Sequence, residues 1–169
     1  MNIKFTLQHL PYFVEEIMLE LLNFLNDTNS KIKELAYMTY LHLPNISFLN
    51  LSVVIRELIK HKNKVKNDPK LSITKLQLMT LIVETYKESE YNFKEIMNWI
   101  VQFMEDPNQK VRTTAGELLV ALAYLVNTER IIKAVEDMKK PELLEVALNL
   151  MNSSIDHSKA QMDISKLSN

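Results

Sequence analysis

The sequence predicts an all-α fold, a right-handed α-solenoid of antiparallel helix pairs, and three observations predict it. Two segments share one template: Asp27-Thr28-Asn29-Ser30-Lys31-Ile32-Lys33-Glu34-Leu35-Ala36 and Asp106-Pro107-Asn108-Gln109-Lys110-Val111-Arg112-Thr113-Thr114-Ala115. In both, Asp is followed five residues later by a β-branched residue, then a base, then Ala nine residues after the Asp. The offset is 79 residues, and a third turn, Asp68-Pro69-Lys70, lies 41 residues after the first Asp and 38 before the last. Apolar residues recur at helical spacing between these turns, and the chain has a single glycine, Gly116.

A period of about 40 residues with two helices per unit is the signature of HEAT-type repeats. One helix pair cannot cover its own apolar surface, so neighbours must stack. Residues 1–155 read as such an array, three repeats and a partial fourth, compatible with being a piece of a longer one. Residues 156–169 read as a polar tail or linker.

Leu10 to Asn26 carries Val14, Ile17, Met18, Leu21, Leu22 and Leu25 as one broad stripe of a first helix. Met1 to Leu10 is read as a short element finishing an incomplete repeat. Asn26-Asp27-Thr28-Asn29-Ser30 is a turn whose polar side chains can cap the next helix. Ile32, Leu35, Ala36, Met38, Thr39 and Leu41 are expected to line that second helix, which Pro44 stops. The second pair runs from about Phe48 to His61 and from Ser72 to Lys87, joined by the long basic segment Lys62–Lys70. The third runs from Phe93 to Met104 and from Gln109 to Val126, with Pro107 where a helix can begin at no loss of a hydrogen bond. In the fourth, Thr128 can cap Ile131–Met138, and Pro141 can open Leu143–Met151.

The composition narrows the function. One glycine excludes a P-loop or a dinucleotide fingerprint, since both need glycines where backbone approaches phosphate. With no cysteine there are no disulfides, thiolate nucleophiles or cysteine zinc sites. The formal net charge of −1 gives no strong field for nucleic acid, which is not expected as a partner. No apolar run approaches the ~20 residues of a membrane-spanning helix.

No chemistry-bearing constellation emerges. His9, His42, His61 and His157 form no i, i+4 pair and no HExxH motif. Glu15-Glu16 and Glu88 with Glu90 read as solvated helix charge, because nothing sets their environments apart. Met97, Trp99, Phe103 and Met104 read as core between stacked helices. The hydroxyls of Tyr37, Tyr40, Tyr86, Tyr91 and Tyr124 could face an interface. No enzyme activity and no cofactor or metal is expected.

The basic residues are more suggestive. Lys60, Lys62, Lys64, Lys66, Lys70 and Lys75 stand against Asp68 alone. Lys31 with Lys33, Lys110 with Arg112, and Lys139 with Lys140 occupy the turns of the other repeats. In a solenoid such turns share one edge, so Lys31, Lys62, Lys64, Lys66, Lys70, Lys110, Lys139 and Lys140 are expected to form a ridge for an acidic partner. Lys33 and Arg112 are expected instead to pair with an Asp of an adjacent turn in an internal ladder.

The order of the pieces adds a resemblance. The turn Asp27–Lys31, the irregular turn Lys62–Lys70, Phe93-Lys94-Glu95-Ile96-Met97, and Met104-Glu105 leading to Lys110-Val111-Arg112-Thr113-Thr114-Ala115 resemble the TOG domain of the 104-kilodalton centrosomal protein of ciliary tips. The resemblance covers about Val14 to Val126 and matches the later repeats; a first turn with the family's aromatic residue has no counterpart. TOG domains bind αβ-tubulin through the turns inside each repeat. The resemblance therefore implies a non-catalytic module for tubulin or microtubule ends, on the cytoplasmic cytoskeleton at a cilium or centriole. It implies contacts at Thr28–Lys31, Lys62–Lys70, Pro107–Lys110 and Lys139–Pro141. An adaptin-like or other HEAT-repeat scaffold subunit of a multiprotein complex is the alternative reading.

Overall fold

The first helix is longer than its pattern predicts. In the structure, a computed structural model, α1 (Ile3–Phe24) runs unbroken through Pro11. Proline has no N–H to give to the carbonyl four residues earlier. What holds the helix together downstream is burial: Val14, Met18 and Leu22 are buried, as is Leu25 just beyond its end, each contributing roughly 1.5–3 kcal/mol. The structure describes residues 3–46, 49–60, 68–86, 93–126, 128–137, 145–146, 148–149 and 152.

Six more α-helices follow among the described residues: α2 (Ser30–His42), α3 (Leu51–Lys60), α4 (Pro69–Tyr86), α5 (Phe93–Met104), α6 (Gln109–Val126) and α7 (Thr128–Asp137). A short 3-10 helix, Leu43–Asn45, continues α2 to the point where Pro44 prevents further α-helix. No described residue is in a strand. Lys62, Lys64, Lys66, Lys139, Lys140 and the tail 156–169 lie outside the described residues.

The chain divides into two compact units, the division falling inside α4 after Ile82. In the first, the short turn 25–29 returns α2 onto α1, and α3 packs on α1 and on the 3-10 helix. Asn50 opens α3, its Oδ1 accepting from the Val53 amide at 2.9 Å. The expected lining of α2 is corrected. Ala36, Tyr40 and Leu43 are buried at 3–4 spacing, whereas Ile32, Leu35 and Met38 are exposed. The helix has two apolar stripes, and the packed one runs through Ala36 and Tyr40. On α1, likewise, Ile17 is exposed.

The α4 helix is buried round most of its circumference, through Ser72, Thr74, Lys75, Leu76, Leu78, Met79, Ile82 and Val83. The place of Lys75 is unexpected. Counting from the helix start, it stands where α2 has Ala36 and α6 has Ala115, both buried. Lys75 is only 3% exposed, and burial draws its ammonium down to about 8. It is therefore not part of an exposed basic edge.

In the second unit α5, α6 and α7 pack on one another. Ile96, Met97 and Ile100 of α5, Val111, Ala115, Leu118 and Leu122 of α6, and Ile131 and Val135 of α7 are buried in this packing. Trp99 is buried and stands edge-to-face with Phe103, centroids 4.9 Å apart. Gly116 and Ala115 are both buried, which suits a helix whose backbone comes near its neighbour. Residues 145–146, 148–149 and 152 are helical, within or next to the span expected for the last helix.

Candidate functional site

The turns that open α2 and α6 are the same object built twice. The Asp27 amide donates to the Phe24 carbonyl at 3.1 Å, and the Asp106 amide to the Phe103 carbonyl at 3.1 Å. Asp27 Oδ1 accepts from the Asn29 amide at 2.7 Å, and Asp106 Oδ1 from the Asn108 amide at 2.8 Å. The asparagine then caps the helix: Asn29 Oδ1 accepts from the Lys31 amide at 3.0 Å, and Asn108 Oδ1 from the Lys110 amide at 2.9 Å. These side chains satisfy amides that a helix start leaves without partners.

The turn that opens α4 reaches the same end by a shorter route. Asp68 Oδ1 accepts from the amides of Lys70 at 3.0 Å and Leu71 at 3.3 Å. Asp68 is thus the equivalent of Asn29 and Asn108, not of Asp27 and Asp106. Its spacing becomes 39 residues after Asn29 and 40 before Asn108. In this register Lys31, Lys70 and Lys110 fall at one position, the second residue of α2, α4 and α6. All three are exposed. Alignment on the aspartates hides this equivalence, and alignment on the caps finds it.

A lysine in the first turn of a helix sits at the positive end of the helix dipole, which disfavours a cation. That all three helices place one there favours a role outside helix stability. Within the first unit the Lys31 and Lys70 turns are joined. Lys70 Nζ donates to the Asn26 carbonyl at 3.1 Å, and Thr74 Oγ1 donates to Asn26 Oδ1 at 2.9 Å. The Tyr37 hydroxyl is hydrogen-bonded to Thr74, and its partial burial raises its pKa. Lys110 belongs to the second unit, with the same local geometry.

Among the described residues the expected internal ladder is not formed. Arg112 Nη1 donates to the carbonyls of Asp106 at 2.8 Å and Pro107 at 2.9 Å, closing its own turn. Lys33 stands over the Tyr37 ring at 5.9 Å. Lys60 belongs to a different group. Its ammonium bonds Glu15 at 3.3 Å and Glu57 at 3.5 Å, and these carboxylates raise its pKa. Glu57 is largely buried and also meets Arg56 at 3.4 Å.

A second basic cluster was not read from the sequence. A cavity of about 350 Å³ opens beside α5 and α7, with Phe93, Lys94, Arg130 and Lys133 among its walls and Asp137 as its acid. The Arg130 guanidinium lies over the Phe93 ring at 5.6 Å. These bases are scattered along the chain, and only the packing of α7 on α5 brings them together. Among the described residues no group of His, Asp and Glu could hold a metal ion, and no helix is long and apolar enough to cross a membrane.

No family model matches the chain. It is 28% identical over 137 residues to the Crescerin-like protein che-12 of Caenorhabditis elegans. The matched segment is 79% of this chain and 10% of that protein, so the chain spans about a tenth of the length of this curated relative.

Proposed function

We propose that this chain is a non-catalytic recognition module, a right-handed HEAT-type solenoid of TOG-like character that binds tubulin or microtubule ends at a cilium or centriole. In the first unit the joined turns of Lys31 and Lys70 present their ammonium groups to an acidic surface, and in the second unit the capped turn of Lys110 presents its own. Lys62, Lys64, Lys66, Lys139 and Lys140 lie on either side of these turns in the sequence.

The observation that carries the reading is the single register of the three lysines, each held by a capped turn and each exposed. Two further points support it. The motif order resembles a TOG domain, and similarity to a much longer protein extends over 79% of the chain.

The test is binding of purified tubulin by wild type and by Lys31→Glu/Lys70→Glu/Lys110→Glu, at low and high salt. Charge reversal at a complementary edge should weaken binding by at least about tenfold, and salt should weaken the wild-type interaction. Equal binding by the two proteins refutes the edge. Absence of tubulin binding, with recovery of subunits of another assembly, favours the scaffold reading.

A further inference from the structure

The cavity beside α5 and α7 takes no part in the function proposed above. Its walls belong to two helices of one unit that pack on each other. Arg130, Lys133, Ala134 and Asp137 stand at i, i+3, i+4 and i+7, one face of α7. Phe93, Lys94 and Asn98 of α5 form the other wall. Its volume, about 350 Å³, is at the low end for ligand pockets and too small for a partner helix.

Three bases and one acid line the cavity, whereas Glu95, Glu129 and Glu136, the other charges of the two helices, do not. All three bases are exposed. Among the described residues no carboxylate forms a salt bridge with Lys94, Arg130 or Lys133. Lys94 is the second residue of α5 and Arg130 the third of α7, places where the helix dipole disfavours a cation. Cations gathered without a counter-charge repel one another, and a bound anion relieves that repulsion. Arg130 is also held in place. Its guanidinium lies over the Phe93 ring at 5.6 Å, which leaves the N–H donors along its edge to a carboxylate.

We propose that this cavity docks a short acidic segment of a partner protein, with one carboxylate side chain seated among Lys94, Arg130 and Lys133. The acid of the cavity selects a segment of chain over a simple anion. Asp137 is seven residues beyond Arg130, about 10 Å along the helix, a distance that about three extended residues span. A peptide gives a carboxylate to the bases at one end and a main-chain N–H to Asp137 at the other, and inorganic phosphate cannot reach both. The site does not depend on the capped lysine turns. It begins at Phe93, the first residue of α5, whereas the Lys110 turn follows Met104, the last, roughly 16 Å further along.

Two-dimensional NMR of the isotope-labelled full chain, titrated at low salt with acetylated and amidated tetraglutamate, tests this. The amides of residues 93–98 and 130–137 should shift saturably, and added salt should reduce the effect. Tetraglutamine and inorganic phosphate should each bind at least about tenfold more weakly. Arg130→Gln and Lys133→Gln should each weaken tetraglutamate binding severalfold, and Lys110→Gln should bind it as wild type does. The circular dichroism of each variant should match wild type, since the changed side chains are exposed. Absence of saturable shifts at these residues overturns the proposal, as does binding by Arg130→Gln and Lys133→Gln equal to wild type. Phosphate binding as tightly as tetraglutamate overturns the peptide in favour of a free anion. Loss of binding in Lys110→Gln moves the peptide to the capped turn and also overturns the site.

Discussion

Lys70 Nζ donates to the main-chain carbonyl of Asn26 at 3.1 Å, so a lysine at the start of α4 is fastened to the turn that precedes α2. The two residues are 44 apart in sequence. The contact fixes one turn against the next without using a buried charge, and it leaves the Lys31 ammonium to solvent. Removing it should loosen the spacing between turns more than it lowers stability. Lys70→Met should change the melting temperature by no more than a degree or two, because an exposed interaction of this kind contributes only about 1 kcal/mol or less. Amide exchange at Asn26 to Asn29 should nonetheless quicken.

The caps carry more. Asn108→Ala removes the acceptor for the Lys110 amide and the more distant Val111 amide, and should cost about 1 kcal/mol in urea denaturation. Asn108→Asp should retain most of that stability, because a carboxylate also accepts these bonds. An alanine variant as stable as wild type would show that Asp106 and Arg112 hold the turn without the cap.

Ala115 is fully buried in α6. Ala115→Leu should overpack the contact and cost about 1–3 kcal/mol. The same change at Ala36 should cost less, because the adjoining flank of α2 is open. Thermal unfolding of both variants makes the comparison, and equal losses would contradict the difference in packing.

The Tyr40 hydroxyl is buried and has no hydrogen-bond partner among the described residues. Burial and the nearby Glu57 both raise its pKa. A buried hydroxyl without a partner costs about 1–3 kcal/mol. Tyr40→Phe should therefore leave stability unchanged or raise it by up to about 1 kcal/mol in a denaturant melt. A loss above that would reveal a partner for the hydroxyl.

Lys75 should make stability depend on pH in an unusual direction. Its folded pKa, about 8, lies below the ordinary value of 10.5. Between these values the unfolded chain binds more protons, so stability rises with pH across that window, at up to about 1.4 kcal/mol per pH unit. Below pH 8 the group is protonated in both states and the penalty is complete. Lys75→Met should therefore stabilise the protein near pH 7, and its advantage should shrink by pH 10. An advantage independent of pH would mean that Lys75 is charged in the folded protein.

Much of the helical order was legible in the sequence because the apolar spacing is regular and the turns are written in Asp, Asn and Pro. The bounds of α5 and α6 are those expected, and the burial of Ala36, Ala115 and Trp99 follows from their places in the pattern. The misreadings share a physical origin. On α2 two apolar stripes compete, and spacing alone does not say which one a neighbour covers. Lys75 was counted as a surface base because lysine is seldom buried, yet the repeat register puts it at the small-residue position. Met1 to Leu10 was read as a separate short element, whereas α1 runs unbroken from Ile3 to Phe24. The common register of Lys31, Lys70 and Lys110 was present in the sequence but concealed, because Asp68 does the work of an asparagine cap.

The doubled turn has a consequence for what each of its lysines loses on meeting a partner. Each of the three lysines leaves its helix from a main chain already locked by one or two side-chain acceptors. On contact with an acidic surface no loop must be ordered, and the entropy lost is confined to the flexible lysine stems, about 0.5–1.5 kcal/mol for each side chain immobilised. Each capped turn can therefore offer its lysine to an anionic group without first being ordered, and the loss on contact stays small at each turn taken singly.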